Sequence, residues 1–282
     1  MPTLNADTIA ERSLAASQGM RIEVIASIPS TNTALRARTA VLSGPTLLAA
    51  EMQTAGRGRA GRSWHSAPGD SLSFSLAWPC QAPLIRLSGL SLAVGVAVAD
   101  TLRALGWPVQ LKWPNDVLLD DRKLGGILIE TAQHSAATSY SLWAVIGVGL
   151  NVRPNRERDS VLGYPAAVLQ PSSTPDDAHA ATDCNELLAR LADGLNTALT
   201  NFDREGLSPF VGRWQALHAY QDHAVRIIEQ GNVLQEGTAR GIDDSGRLLL
   251  DTTAGRIAIT AGDVSLRAAD IPLSYGDVHA AG

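Results

Sequence analysis

Cysteine is scarce in this chain. Cys80 and Cys184 are the only two in 282 residues, and they stand far apart. They form neither a metal-ligand spacing nor a disulfide framework, which fits a reducing compartment. An excess of positive charge is also lacking: the formal net charge is −5. There is no bulk electrostatic case for binding nucleic acid. No apolar run is long enough to span a bilayer; the most apolar stretch, Leu87 to Ala99, is short and ends at Asp100. The opening MPTLNADTIAERS lacks the basic start and apolar core of a signal peptide. A soluble, cytoplasmic protein without nucleic-acid or membrane partners is expected. No repeat at solenoid spacing is visible. Gly-Lys-Ser/Thr is missing, so there is no P-loop, and none of the six histidines sits in a Ser-His-Asp pattern.

Apolar residues make up 45%, ample for a globular core. The length suggests one large domain, or a large one with a small one. Residues 6–18 read as a short helix, with Asn5 or Asp7 as cap and Gly19 as stop. Arg21 to Ile28 reads as a strand. Pro29-Ser30-Thr31-Asn32 breaks it, and Thr31 or Asn32 is placed to cap a helix through Arg38. Thr46 to Met52 reads as a buried strand. Ser71 to Trp78 alternates with period two, as a half-buried strand does. Leu87 to Leu105 has helical length and ends at Gly106. Val109 to Trp113, Val117 to Leu119, Lys123 to Thr131 and Leu142 to Val152 read as strands. Asn155 to Asp183 is polar and reads as loop, with a short apolar piece at Tyr164 to Leu169. An amphipathic helix follows through Phe202, then another from Ser208 to Leu217. Beyond His218, five short β runs separated by turns suggest a small barrel, and the last dozen residues a loose tail.

Four stretches carry candidate chemistry. Glu51 to Trp64 sets Arg57, Arg59 and Arg62 among Gly56, Gly58 and Gly61. Glycine lets backbone approach a ligand, and arginine suits carboxylate and phosphate, so the loop can hold an anion; the plainer reading is a solvated turn. Ser30-Thr31-Asn32 offers hydroxyls and an amide to a neutral polar ligand, or only a helix cap. Lys112-Trp113-Pro114-Asn115-Asp116 offers hard oxygens suited to Mg²⁺, and Lys123 precedes Gly125-Gly126, where its ammonium can face an anion. A plain hairpin accounts for the same residues. Gly147-Val148-Gly149-Leu150-Asn151 closes an apolar strand and leaves room for a flat ligand against the backbone, without the spacing of a dinucleotide fingerprint.

In this order and at these intervals, GRGRAGRSW, KWPND, the DRKLGGILIE run and GVGLN resemble the biotin protein ligases. PSTN upstream and the closing RGID, GRLLL and SLR segments agree. The resemblance covers roughly residues 21 to 268. It implies an α+β fold: a mixed central sheet flanked by helices, class II synthetase-like, with a small C-terminal SH3-like β-barrel. The expected division is a catalytic domain over residues 1–218, the barrel over 219–270 and a tail over 271–282.

The resemblance also implies a reaction. Biotin and MgATP give biotinyl-5′-adenylate and pyrophosphate, and biotin then passes to one lysine of a biotin carboxyl carrier domain such as that of acetyl-CoA carboxylase. By resemblance the catalytic residues are Lys123, Arg59 and Arg57. The biotin side takes Ser30, Thr31, Asn32, Gln53, Gly56, Arg57, Lys123, Gly126 and Gly147. The ATP side takes Arg59, Arg62, Trp64, Lys112, Asn115, Asn151 and Arg267. Asp116 is the expected Mg²⁺ ligand and a candidate base for the transfer. Tyr164 is placed for the adenine, and Trp64 as an apolar lid. The Gly/Arg loop is expected to be disordered until the adenylate binds. About twenty residues precede the first strand, too few for the winged helix-turn-helix that makes some members repressors, so no DNA binding is expected. Pairing of sheet edges into a homodimer is possible. Two competing readings are a lipoate or octanoate ligase and a non-catalytic biotin- or nucleotide-binding regulator.

Overall fold

In the computed structural model, residues 3–81, 83–134, 142–170, 183–229, 231–262 and 264–269 are described. The expected tail lies outside them. In chain order the larger part contains α1 (Ala6–Arg12), α2 (Leu14–Ser17), β1 (Arg21–Ile28), α3 (Thr31–Arg38), β2 (Thr46–Gln53), β3 (Gly56–Arg57), β4 (Ser63–Trp64) and β5 (Ser71–Pro79). It continues with α4 (Leu90–Ala104), β6 (Gln110–Lys112), β7 (Asp116–Leu119), β8 (Arg122–Gln133), β9 (Leu142–Asn151), α5 (Arg156–Leu162), α6 (Cys184–Glu205) and α7 (Ser208–Leu217). Seven strands pair in the order β1-β2-β5-β9-β8-β7-β6, with β1 and β2 parallel and the other pairs antiparallel, so the sheet is mixed.

Side chains alternate across a strand, and this decides what each residue serves. Leu72, Phe74 and Leu76 of β5, with Ile146, Val148 and Leu150 of β9, enter the main core shared with α4 and α6. The intervening residues face the other way. There Leu48, Ala77, Trp143 and Val145 form a second, smaller core with Leu35 of α3. Beyond it the same face carries Ser73 and Ser75 of β5, Gly147 and Gly149 of β9, and Glu130 of β8. Both faces of β5 are covered, so it is buried throughout rather than half-buried.

The second sheet is antiparallel, in the order β13-β12-β11-β10-β14. Its strands are β10 (Ala224–Glu229), β11 (Asn232–Ile242), β12 (Leu248–Thr252), β13 (Gly255–Ile259) and β14 (Val264–Ala268). It meets the larger part where Leu111 bridges His218 and Trp113 Nε1 donates to the Gly246 carbonyl.

Several expected elements shift. The first helix is two, because Ser13 interrupts it and caps α2, held by Asp193. α3 is capped by Ser30, not by Thr31 or Asn32, which leaves those two side chains free for the sheet face. α4 starts at Leu90 after a 3₁₀ turn at Leu84–Leu87. α5 lies where loop was expected; Asn155 caps it and Gly163, at φ +77°, stops it. A seven-residue polar helix carries too little apolar periodicity to be seen in sequence.

Candidate active site

On the α3 face of the sheet lies a cavity of about 430 Å³, walled by both sheets and by the Gly/Arg loop. At one end the groups are neutral and polar. The Thr31 backbone N–H donates to Gln53 Oε1 (2.9 Å), and the Thr31 and Ser75 hydroxyls lie 2.7 Å apart. Ser75 donates to Asn32 Oδ1 (2.7 Å), while Asn32 Nδ2 donates to Glu130 (3.0 Å). Ser30, Thr31 and Asn32 are all buried. Arg57 closes this end, its Nη1 donating to both oxygens of Glu130 (3.1 and 3.2 Å).

The other end is cationic. The β6–β7 hairpin sets Lys112 opposite Asp116, and β8 brings Lys123 beside them. Asp116 joins both ammoniums: Oδ2 lies 3.0 Å from Lys112 and Oδ1 2.7 Å from Lys123. Burial alone would raise the Asp116 carboxyl, but Lys123 and Lys112 outweigh it and hold it well below the usual carboxylate range. Burial pushes Lys112 down to about 8 against the pull of Asp116, and Arg267 and Lys123 push the same way as burial. A Cβ on Gly126 would lie 3.5 Å from Lys123 Nζ, so the glycine leaves that ammonium its space. Asn115 is pinned through Nδ2 to the Ile127 carbonyl and accepts from Arg59 (3.0 Å). Asn151 Nδ2 donates to the Lys123 carbonyl (3.3 Å), and its buried Oδ1 has no hydrogen-bond partner among the described residues. Val161, Leu162 and Tyr164 add an apolar wall.

The arginines of the Gly/Arg loop reach out to separate partners. Their like charges are thereby held apart. Arg57 goes to Glu130, Arg59 to Asn115 and the Gly262 carbonyl, and Arg62 to Ser265 Oγ (3.0 Å). The last two acceptors belong to the second sheet and the turn before β14. Trp64 is not a lid. Its indole lies against Gly149, where a Cβ would sit 2.4 Å from Cε2, and its Nε1 donates to Ser73 Oγ (3.1 Å). The space left by Gly147 is likewise filled by protein: a Cβ there would sit 2.6 Å from Asn32 Oδ1. These glycines make room for Asn32 and Trp64 at the cavity wall.

Of the residues expected at the site, Gly56 alone is off the cavity wall. It sits at the base of the loop, where β3 and β4 pair so closely that a Cβ would meet the Trp64 carbonyl. Asp116 does not fit a resident Mg²⁺, because each oxygen already faces an ammonium. Among the described residues no group of three or more His, Cys, Asp or Glu is arranged to hold a metal ion. The same lowered carboxyl makes Asp116 a poor base, which removes that role as well.

Residues 24–151 match the Biotin/lipoate A/B protein ligase family, and residues 223–267 the Biotin protein ligase C terminal domain. Over 269 residues the chain is 34% identical to the Biotin--[acetyl-CoA-carboxylase] ligase of Mycobacterium tuberculosis, covering 92% of this chain and 93% of that one. The chain belongs to the biotin protein ligase family. It is also 39% identical over 231 residues to the Bifunctional ligase/repressor BirA of Salmonella typhimurium, covering 82% of this chain and 69% of the other. Among solved structures, the biotin protein ligase from Aquifex aeolicus in complex with biotin and ATP superposes with a TM-score of 0.72 at 28% identity, over 88% of this chain and 99% of that one.

Some residues that line or support the cavity are not marked in the sequence. Ser73 and Ser75 alternate with Leu72, Phe74 and Leu76, which reads as the pattern of a half-buried strand; a serine every second residue in so apolar a strand is the available signal. Glu130 looks like an ordinary strand charge, and nothing local marks it.

Proposed function

We propose that this protein activates biotin with ATP to biotinyl-5′-adenylate and transfers the biotinyl group to a lysine of a biotin carboxyl carrier domain. The observation that carries this reading is one cavity with a neutral, hydroxyl- and amide-lined end and a cationic end. The neutral end suits the ureido ring, with Ser30, Thr31, Asn32 and Gln53 around it. The valeryl carboxylate then reaches toward Lys123. In the first step a carboxylate oxygen of biotin attacks the α-phosphorus of ATP and the bond to pyrophosphate breaks. Negative charge accumulates there, and fixed cations stabilise it without a side-chain base. Lys123 and Arg59 are the residues for the reacting groups; Lys112, Arg62 and Arg267 serve the phosphates. The unpartnered Asn151 Oδ1 is an acceptor for a nucleotide hydroxyl or amine. The Val161–Tyr164 wall gives the adenine an apolar surface. Mg²⁺ would come with ATP rather than from a carboxylate site of this chain, and would supply further positive charge at the phosphates.

In the second step the carrier lysine amine attacks the acyl carbon and AMP leaves. The cationic end disfavours a further ammonium, which lowers the pKa of the incoming lysine. Pyrophosphate release on mixing the protein with biotin and MgATP tests the first step; its absence would favour the non-catalytic reading. Incorporation of labelled biotin, and not lipoate, into a carrier domain tests the second.

A further inference from the structure

Three donors converge on the Glu130 carboxylate, which is only 12% exposed. Arg36 donates at 2.8 Å, Arg57 at 3.1 Å and Asn32 Nδ2 at 3.0 Å. A carboxylate paired with arginines can only accept. It therefore fixes which way the Asn32 amide points: nitrogen toward Glu130, oxygen toward Ser75. Ser75 must then spend its one hydrogen on Asn32 Oδ1 (2.7 Å). The Thr31–Ser75 contact, also 2.7 Å, then needs the hydrogen of Thr31. That hydroxyl cannot also donate to Gln53 Oε1, the longer contact at 3.2 Å. Gln53 Oε1 is left with the Thr31 N–H as its donor, and Thr31 offers the cavity a lone pair rather than a hydrogen. Each donor direction follows from the one before.

We infer that Glu130 is a positioning residue that sets the hydrogen-bond polarity of the neutral end, so that Thr31 and Gln53 present acceptors to a ligand bearing N–H groups. The inference rests on the proposed biotin reading, since the two ureido N–H groups are the donors such an end selects. Gly147 belongs to the same device, because a Cβ there would displace the Asn32 oxygen from its place.

The test is a set of variants read by the Kd for biotin in titration calorimetry and by KM for biotin and for ATP in pyrophosphate release. Glu130→Gln can donate as well as accept, so Asn32 is free to flip. Biotin Kd and KM should rise about tenfold, the size of one misdirected buried hydrogen bond, with KM for ATP within about twofold. Asn32→Asp combined with Glu130→Gln restores the direction, because the new carboxylate can only accept from Ser75 while the new amide donates to that carboxylate. The double variant should recover at least half of the loss on a logarithmic scale. Ser75→Ala cuts the chain in its middle without touching the arginines, and should weaken biotin without adding to Glu130→Gln. Wild-type biotin affinity in Glu130→Gln would overturn the inference, and so would a double variant no better than the single, which would reduce Glu130 to an anchor for Arg57. If Glu130→Gln fails to fold, Ser75→Ala decides: unchanged biotin affinity overturns the proposal. Biotin binding without pyrophosphate release by the unaltered protein would count against the proposed activity, while the Kd series still decides the role of Glu130.

Discussion

Lys123 lies at the cationic end of the cavity with Asp116 as its partner, and Asp116 keeps Lys112 if Lys123 is removed. Lys123→Ala should therefore act on chemistry more than on stability. It is expected to abolish pyrophosphate release while the circular dichroism spectrum and Tm stay near those of the wild type, and near-normal turnover would overturn the assignment. Lys112 gives a different signature. Its pKa is lowered to about 8 by burial, so in the free protein it is cationic below that pH and neutral above. Attraction for ATP phosphates weakens as the charge is lost. KM for ATP should rise as pH increases through about 8 while KM for biotin stays flat, and Lys112→Arg should remove the rise because arginine keeps its charge. A pH-independent KM for ATP in the unaltered protein would count against the phosphate role. At this scale the sequence is most informative where a residue type is chemically unusual, as with Lys123 before paired glycines or arginines among glycines. It is silent where an ordinary residue acquires a role through a distant partner. Glu130 meets Arg57 and Asn32 across 73 and 98 positions, and no local pattern encodes that.

The Gly/Arg loop connects the two sheets, because Arg59 reaches the Gly262 carbonyl and Arg62 reaches Ser265. Both contacts span 203 positions, so the anchors of the loop are not legible in the sequence, which shows only its alternation of glycine and arginine. If they keep the loop down over an adenylate, weakening them should release the intermediate. Arg59→Ala is expected to leak free biotinyl-adenylate into solution, measurable by chromatography after mixing with biotin and MgATP. Ser265→Ala should leak to a smaller extent, and combined with Arg62→Ala should add little, since the two residues share one hydrogen bond. Full additivity would mean that the Arg62–Ser265 contact does not hold the loop.

The two sheets share more than the cavity, because the chain passes between them at His218. Its imidazole packs against Trp214 with ring centroids 4.6 Å apart, Leu111 bridges its backbone, and the next residue donates to the Leu111 carbonyl. Burial pushes His218 down to about 4, with Gln221 and Asp222 opposing and His223 reinforcing the shift. The folded protein thus keeps this imidazole neutral over a range where the unfolded chain protonates it. As pH falls below the ordinary histidine value of 6.5, the unfolded state binds a proton the folded state does not. Stability contributed by the neutral imidazole is full above that value and is lost progressively down to about 4, amounting to about 3 kcal/mol for a shift of this size. Asp116 works in a lower window. Its lowered carboxyl favours the folded state above the ordinary carboxylate range, and that favour is lost only as pH falls below it. The two groups therefore separate in a stability profile: decline between about 6.5 and 4 belongs to His218, and a steeper decline below about 4 to Asp116 and other paired carboxylates. Urea unfolding at a series of pH values should show both phases in the unaltered protein. His218→Gln should flatten the first phase and leave the second. If the first phase persists unchanged in that variant, the junction between the sheets is not what the acid limb reports.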